Sequence, residues 1–424
     1  MSGVTEDGGS FSSKVIRMVF VILLLDLLGF TLILPLLPSI LDHYAQTGDA
    51  TYQSLQNVVG WFRAAVGIPM EKKYNSVLFG GLVGSLFSLL QFLSSPVTGV
   101  LSDRHGRRPL LILTTVGLIS SYVVWAVSRS FSMFLLFRVI GGIFKGNVSL
   151  CTAVVADLPC PKARNRGMAM IGIAFSVGFT VGPLMGAYFA IASRTTGSVF
   201  YQTPALIALA FSVADLLVIW LMLPETLTKN VEAASSGTGN SRDLLSPLSL
   251  FHFAAITRTK DPPSRERMQK LQRFQFTSMQ QGKMFFFIGI IMALIQGGYA
   301  RRIKQGQHIR AVSRAIVTLI PAFILIGFSW NMTMLYIGLA LYSFAAAVVV
   351  PCLSTLVSDY GSTSQKGTVM GILRSLGCLA RALGPVVSST VYWIAGAQAC
   401  FLLTSAAFVI PLALLSRASR LKEE

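Results

Sequence analysis

Long apolar runs separated by short polar segments dominate the chain. Eleven of them reach roughly 17 residues or more, the length at which a helix spans ~30 Å of hydrocarbon. They cover residues 16–41, 77–100, 109–127, 131–156, 168–192, 204–223, 283–299, 311–330, 335–357, 368–394 and 398–415. The pattern predicts an all-α membrane protein. A cytoplasmic N-terminal tail, 1–15, precedes a six-helix bundle over 16–223. A linker rich in Ser, Lys, Arg and Pro, 224–282, leads to a five-helix bundle over 283–415 and a cytoplasmic tail, 416–424. Within the linker, 244–256 is apolar but contains Pro247 and His252. Some 13 residues cannot cross a bilayer, so this segment is expected to lie amphipathically on its surface.

The two halves echo each other. The run 131–156 leads into Asp157 through Val155 and Ala156, and the run 335–357 leads into Asp359 through Val357 and Ser358. The run 168–192 holds Gly182-Pro183, and the run 368–394 holds Gly384-Pro385. Two related halves joined by a cytoplasmic linker form a recurring transporter architecture.

Composition narrows the class further. Of 424 residues, 53% are hydrophobic and 12% charged, where a soluble domain carries about 25% charged residues. The net charge of +18 does not indicate nucleic acid, because the cations sit in short loops without a binding motif. Arg104, Arg107 and Arg108 follow the second run, Lys162, Arg164 and Arg166 the fourth, and many more lie between Lys229 and Arg273. By the positive-inside rule these loops and the N-terminus are cytoplasmic. The first apolar run is too long for a cleaved signal and is expected to remain a membrane helix. The five cysteines lack CxxC spacing and read as small packing residues rather than disulfide or zinc partners. No nucleophile–base pair or metal-ligand cluster is visible, so neither an enzyme nor a metal or cofactor site is expected.

The most specific string is Gly99-Val100-Leu101-Ser102-Asp103-Arg104-His105-Gly106-Arg107-Arg108-Pro109, between the second and third runs. Glycines permit a tight turn there, and its charges can pair across the cytoplasmic face as helices shift. The string resembles the loop signature of the major facilitator superfamily. Gly178, Gly182 and Gly186, on one face of the fifth run, together with Pro183, resemble the antiporter motif of the superfamily's drug:proton antiporters. The stretch from Asp26 to Pro38 is similar to the first helix of tetracycline exporters, and Leu223-Pro224-Glu225-Thr226 resembles the usual end of the sixth helix. The resemblance covers nearly the whole chain. It implies two pseudo-symmetric bundles, alternating access, and proton-coupled efflux of organic anions and tetracycline-like drugs, with the plasma membrane as the expected location and an internal membrane as the alternative.

A charge inside a bilayer is a functional candidate by default. Asp26 lies roughly 13 Å along its helix from Arg17, near the midplane. Arg138 and Lys145 share one face of the fourth run, about 11 and 21 Å from its outer end. Asp26 thus falls between them in depth. An acid flanked by two bases can hold a proton or yield to a substrate; the plainer reading is a structural Asp26–Arg138 ion pair. The resemblance supports Arg138, whereas Lys145 departs from it, since small residues usually stand there, and an added cation fits an anionic cargo. Arg374 and Arg381 repeat the spacing in the second half, as substrate contacts or as partners of lipid phosphates. Asp26 is the expected proton carrier, because His43, His105, His252 and His308 all lie outside the runs. Asp215 reads as structural, and Asp103 and Asp157 as partners of loop arginines.

One feature conflicts with a complete twelve-helix fold. The sixth run ends among cations, and the run 283–299 is followed by Arg301, Arg302, Lys304, Arg310 and Arg314. A single crossing cannot join two cytoplasmic ends. Gly297-Gly298-Tyr299-Ala300-Arg301-Arg302 resembles a worn copy of the first-half loop signature, so no partner of the first helix precedes that run. The chain is therefore expected to lack the seventh helix, with the join near Leu271. A transport-inactive isoform or a non-transporting membrane scaffold is the alternative function.

Overall fold

The computed structural model describes residues 3–67, 72–196, 202–227, 278–303, 306–358 and 365–420. Their regular structure is helical. The first half holds α1 (Gly3–Thr31), α2 (Leu37–Thr47), α3 (Ala50–Val66), α4 (Lys72–His105), α5 (Arg107–Ala126), α6 (Phe131–Phe144), α7 (Asn147–Ala156), α8 (Pro161–Thr196) and α9 (Gln202–Met222). The second holds α10 (Ser278–Gly298), α11 (His308–Gly327), α12 (Met332–Ser358), α13 (Lys366–Ala407) and α14 (Val409–Arg420). Nine stretches of described residues are long and apolar enough to cross a membrane. With α1 and α10 they account for the eleven expected spans.

Several boundaries differ from the hydropathy runs for identifiable reasons. The run 16–41 is not one helix: α1 stops at Thr31 and α2 restarts at Leu37. Pro35 and Pro38 lie there, and proline removes an N–H and clashes with the preceding turn. The following loop carries helix α3, which is started by the Asp49 carboxylate accepting from the Thr51 and Tyr52 N–H groups. The same carboxylate accepts from Phe131 N–H at the head of α6, which pins this outer cap to the bundle. Tyr52 stacks on Phe79 at 4.6 Å, and Tyr44 meets Phe131 edge-on at 5.4 Å. The run 131–156 is broken at Lys145 (φ −74°, ψ 56°) and Gly146. The runs 368–394 and 398–415 meet within α13 at a kink on Gly396, whose φ of 84° suits glycine. The surface segment expected at 244–256 lies outside the described residues.

Lipid tails are as apolar as leucine, so helices here associate through close packing and hydrogen bonds. The Gly178, Gly182 and Gly186 stripe of α8 lies against α1. A methyl added at Gly178 would sit 2.6 Å from Leu27 Cβ, and the Thr31 hydroxyl donates to the Gly178 carbonyl at 3.0 Å. The motif thus seats the helix that carries Asp26. The halves join along α4–α13 and α8–α10. At the first seam a methyl on Gly371 would lie 2.6 Å from the Ser95 carbonyl, and Ser375 donates to the Phe92 carbonyl at 2.8 Å.

The second seam fixes the topology. Gln296, near the end of α10, takes a 2.8 Å hydrogen bond from Ser176, while Gly289 faces Thr180 further along α8. The helices are therefore antiparallel, and α10 ends on the face where α8 begins. On that face Lys366, at the start of α13, donates to the Ala156 carbonyl at the end of α7. Glu225, just past α9, accepts from Arg107 N–H at 2.9 Å. All the described basic loops share this side, the cytoplasmic one by the charge rule. The chain leaves α9 on the basic face and enters α10 from the opposite one. This is the arrangement of a fold with one crossing fewer between the halves; the expected join near Leu271 lies outside the described residues.

Candidate functional site

The break in the fourth span builds the site. Because α6 ends at Phe144 and α7 begins at Asn147, the Lys145 carbonyl is available to a side chain, and Gln91 of α4 donates to it at 2.9 Å. The Lys145 side chain reaches α1 and forms a 2.6 Å ion pair with Asp26 Oδ1. Both groups are buried, 3% and 2% exposed, so the pair is desolvated and each charge depends on the other. The second Asp26 oxygen, Oδ2, has no hydrogen-bond partner. Lys145 Nζ also lies 4.7 Å from the centre of the Phe30 ring.

Arg138, two turns earlier on α6, is buried without a carboxylate partner among the described residues. Its guanidinium lies 4.3 Å from the Phe87 ring centre and 5.7 Å from that of Phe137, and its Nε is unpaired. The structural Asp26–Arg138 pair is thus not what forms. Depth could not decide between the two cations, and in an unbroken helix they share one face; the break at Lys145 separates them. Arg138 and Lys145 open onto one small cleft with Phe30, Phe87, Tyr122 and Phe137. Its free space is about 10 Å³, no more than a single water needs, so an anion could reach these cations and ring faces only after the surrounding helices part.

The second-half arginines divide. Arg381 donates to Gln91 Oε1 at 3.3 Å and to Cys378 sulfur at 2.9 Å. Gln91 therefore links the second bundle to the broken helix, and through Lys145 to Asp26. Arg374, two turns before Arg381 on α13, lies 5.6 Å from the Phe175 ring of α8, with Nε unpaired. Reading charges alone overlooked Gln91; the signal was a lone amide between Leu90 and Phe92. Asp215 is buried and accepts from Asn147 at 3.4 Å. Asn147 also meets Thr114 at 2.8 Å and Thr115 at 3.2 Å, which anchors the first turn of α7 to α5 and α9.

A second constellation closes the basic face. Asp103 accepts from Gly367 N–H at 2.8 Å, Thr368 N–H at 2.7 Å and the Thr368 hydroxyl at 2.6 Å. A carboxylate at the N-terminus of α13 satisfies free N–H groups and complements the helix dipole. Arg107, fully buried, bridges Asp103 at 2.7 Å and Asp157 at 2.9 Å. Gly106, with φ 106°, turns the chain so that the Arg107 and Arg108 N–H groups both meet Glu225. Gly99 packs directly on the Gly367 carbonyl, while Arg104 is exposed. Asp103→Asn keeps an acceptor but loses the charge, and charge-assisted bonds contribute about 1.5–3 kcal/mol. Amide exchange at Gly367 and Thr368 is expected to rise at least tenfold, while exchange at the Asp26 end of α1 changes little.

Comparison with known proteins bears on the fold. The profile of the Major Facilitator Superfamily matches residues 19–385. Major facilitator superfamily domain-containing protein 10 of Homo sapiens is 53% identical over 434 positions, spanning 96% of this chain and 93% of that protein. More positions are matched than this chain has residues, so the relative carries residues without a counterpart here. Tetracycline resistance protein, class B, of Escherichia coli is 25% identical, over 89% of this chain and 88% of its own. A crystal structure of the human organic anion transporter MFSD10 (TETRAN) superposes with a TM-score of 0.83 at 51% identity, covering 95% of this chain and 99% of that one. The proton:xylose symporter XylE, 14% identical, superposes with a TM-score of 0.64 over 97% and 96% of the two chains, and so shares the fold.

Proposed function

The chain belongs to the Major Facilitator Superfamily, and from that premise we propose that it moves amphipathic organic anions, coupled to protons, through the cleft at Asp26, Arg138 and Lys145. It is a multi-pass membrane protein of a transporter family; cargo class and coupling are the proposed part. The observation that carries the reading is the buried Asp26–Lys145 pair beside the unpaired Arg138. A scaffold has no use for a desolvated pair with one carboxylate oxygen left open.

The coupling follows from charge balance. When empty, the pair is neutral. An anion drawn to Arg138 and Lys145 competes with Asp26 for the lysine, and a carboxylate left in apolar surroundings without its cation takes up a proton. Anion and proton therefore load together. A cationic drug would compete with the proton for Asp26 instead, and the same pair would then run as an exchanger. Asp103 and Arg107 tie the basic face shut, and their parting would open the site inward. The related human organic anion transporter supports an anionic cargo, and the tetracycline resistance proteins support drug efflux.

Lys145→Ala tests the cargo assignment. Binding of a fluorescent amphipathic carboxylate is expected to weaken at least tenfold, and binding of a neutral analogue of the same body by less than threefold. Equal losses would mean that the lysine acts through structure. A second reading, a chain that binds but does not transport, is favoured by the odd number of crossings; it retains the Lys145→Ala binding pattern but shows no flux.

A further inference from the structure

The two halves differ in how their basic loops are neutralised. In the first half Asp103, Asp157 and Glu225 surround Arg107 and Arg108. In the second half, from Ser278 to the last residue given, the sequence contains only Asp359, Glu423 and Glu424 as acids, against Arg301, Arg302, Lys304, Arg310, Arg314 and further cations. At the turn between α10 and α11 this imbalance surrounds a cavity of about 240 Å³, lined by Tyr299, Arg302, Ile303, Gln307, Arg310, Ala311 and Arg314. Among the described residues no carboxylate lines it. Ile303 and Ala311 form a buried apolar floor, and the three arginines are exposed around the rim. Arg310 and Arg314 are one turn apart on α11 and face the same way.

We propose that this cavity binds the phosphate of an anionic lipid headgroup in the cytoplasmic leaflet. Its location is the cytoplasmic edge of the second bundle. The helix α11 packs mainly on α12, α13 and α14, while the 300–302 turn that supplies Arg302 also touches α8, so the cavity opens at the bundle's rim beside the α8–α10 seam rather than in the central cleft. Arg314 is roughly 9 Å along α11 from His308, a depth from which an arginine extends back to the headgroups. Arginine forks match phosphate oxygens in pairs, and basic pockets on the cytoplasmic side of transmembrane helices take such headgroups. The Tyr299 hydroxyl and Gln307 amide supply further donors at the rim. This inference does not depend on which cargo the central cleft takes.

The test uses the full chain in neutral detergent, with dioleoyl phosphatidic acid titrated and retained lipid read by native mass spectrometry. Phosphatidic acid is expected to be retained well above dioleoyl phosphatidylcholine. Each cation contributes about fivefold, so the triple variant R302Q/R310Q/R314Q is expected to lose roughly 100-fold in affinity. The R302K/R310K/R314K variant, which keeps the charge, is expected to retain binding within about tenfold and reports on folding. Unchanged binding in the glutamine variant would overturn the proposal. So would equal retention of the two lipids, or displacement by millimolar glycerol 3-phosphate or inorganic phosphate, which would assign the site to a soluble phosphate compound.

Discussion

Asp26→Asn is expected to abolish proton-driven accumulation of an organic anion in proteoliposomes, a loss of at least tenfold, while downhill flux persists. The asparagine keeps an acceptor for Lys145 Nζ, which now donates to Asp26 at 2.6 Å, so the cleft remains assembled. What disappears is the group that can exchange a cation for a proton. Of the other buried acids, Asp215 accepts from Asn147 at 3.4 Å and leaves its Oδ1 without a partner, so Asp215→Asn is the matched control, while Asp103 and Asp157 are paired with Arg107. Removing the cation instead is harsher, since an uncompensated buried charge costs about 3–5 kcal/mol. The assay should use a form of the chain with a helix inserted between the halves, so that loss of flux reports on Asp26 alone. Retained accumulation in Asp26→Asn would move the proton to another group.

That inserted helix is itself the second large effect. The described ends of α9 and α10 place the two sides of the linker on opposite faces, while the linker and the loop after α10 are both strongly basic. Holding Arg301, Arg302, Lys304, Arg310 and Arg314 on the wrong side costs on the order of 1 kcal/mol per cation near an anionic leaflet, and more if they must cross. Insertion of the second half is therefore expected to be inefficient. An apolar segment of ~20 residues placed after Leu271 is expected to raise steady-state abundance severalfold. It should also turn mixed labelling of an epitope tag in the 301–314 loop into uniformly cytoplasmic labelling. Uniform cytoplasmic labelling and normal abundance in the unmodified chain would show that the linker satisfies both faces unaided.

The spans were legible because a crossing helix demands an apolar run, and the number of crossings because cations report the side. The site was half legible. Asp26, Arg138 and Lys145 stand out as charges in hydrocarbon, but their pairing was hidden. In a ~30 Å core the depths place Asp26 within about 4–6 Å of both cations, and the two share one helix face, so neither depth nor rotation chooses between them. The break at Lys145 and Gly146 leaves no mark in hydropathy, since Gly141 and Gly142 just before it remain helical. Gln91 escaped because an uncharged amide hardly disturbs an apolar run. Helix α3 escaped because it lies outside the crossings, where its capping aspartate was the available signal.

The central claim, that the Asp26–Lys145 pair exchanges its internal contact for an anion and a proton, is open to a measurement that needs no transport. The chain in weakly buffered detergent solution is mixed with an amphipathic carboxylate that is fully ionised at neutral pH, and the bulk proton concentration is followed with an indicator dye. The account predicts uptake of about one proton per anion bound, anion affinity that falls as pH rises, and loss of both in Asp26→Asn. Anion binding without proton uptake, or the same uptake in Asp26→Asn, would contradict it.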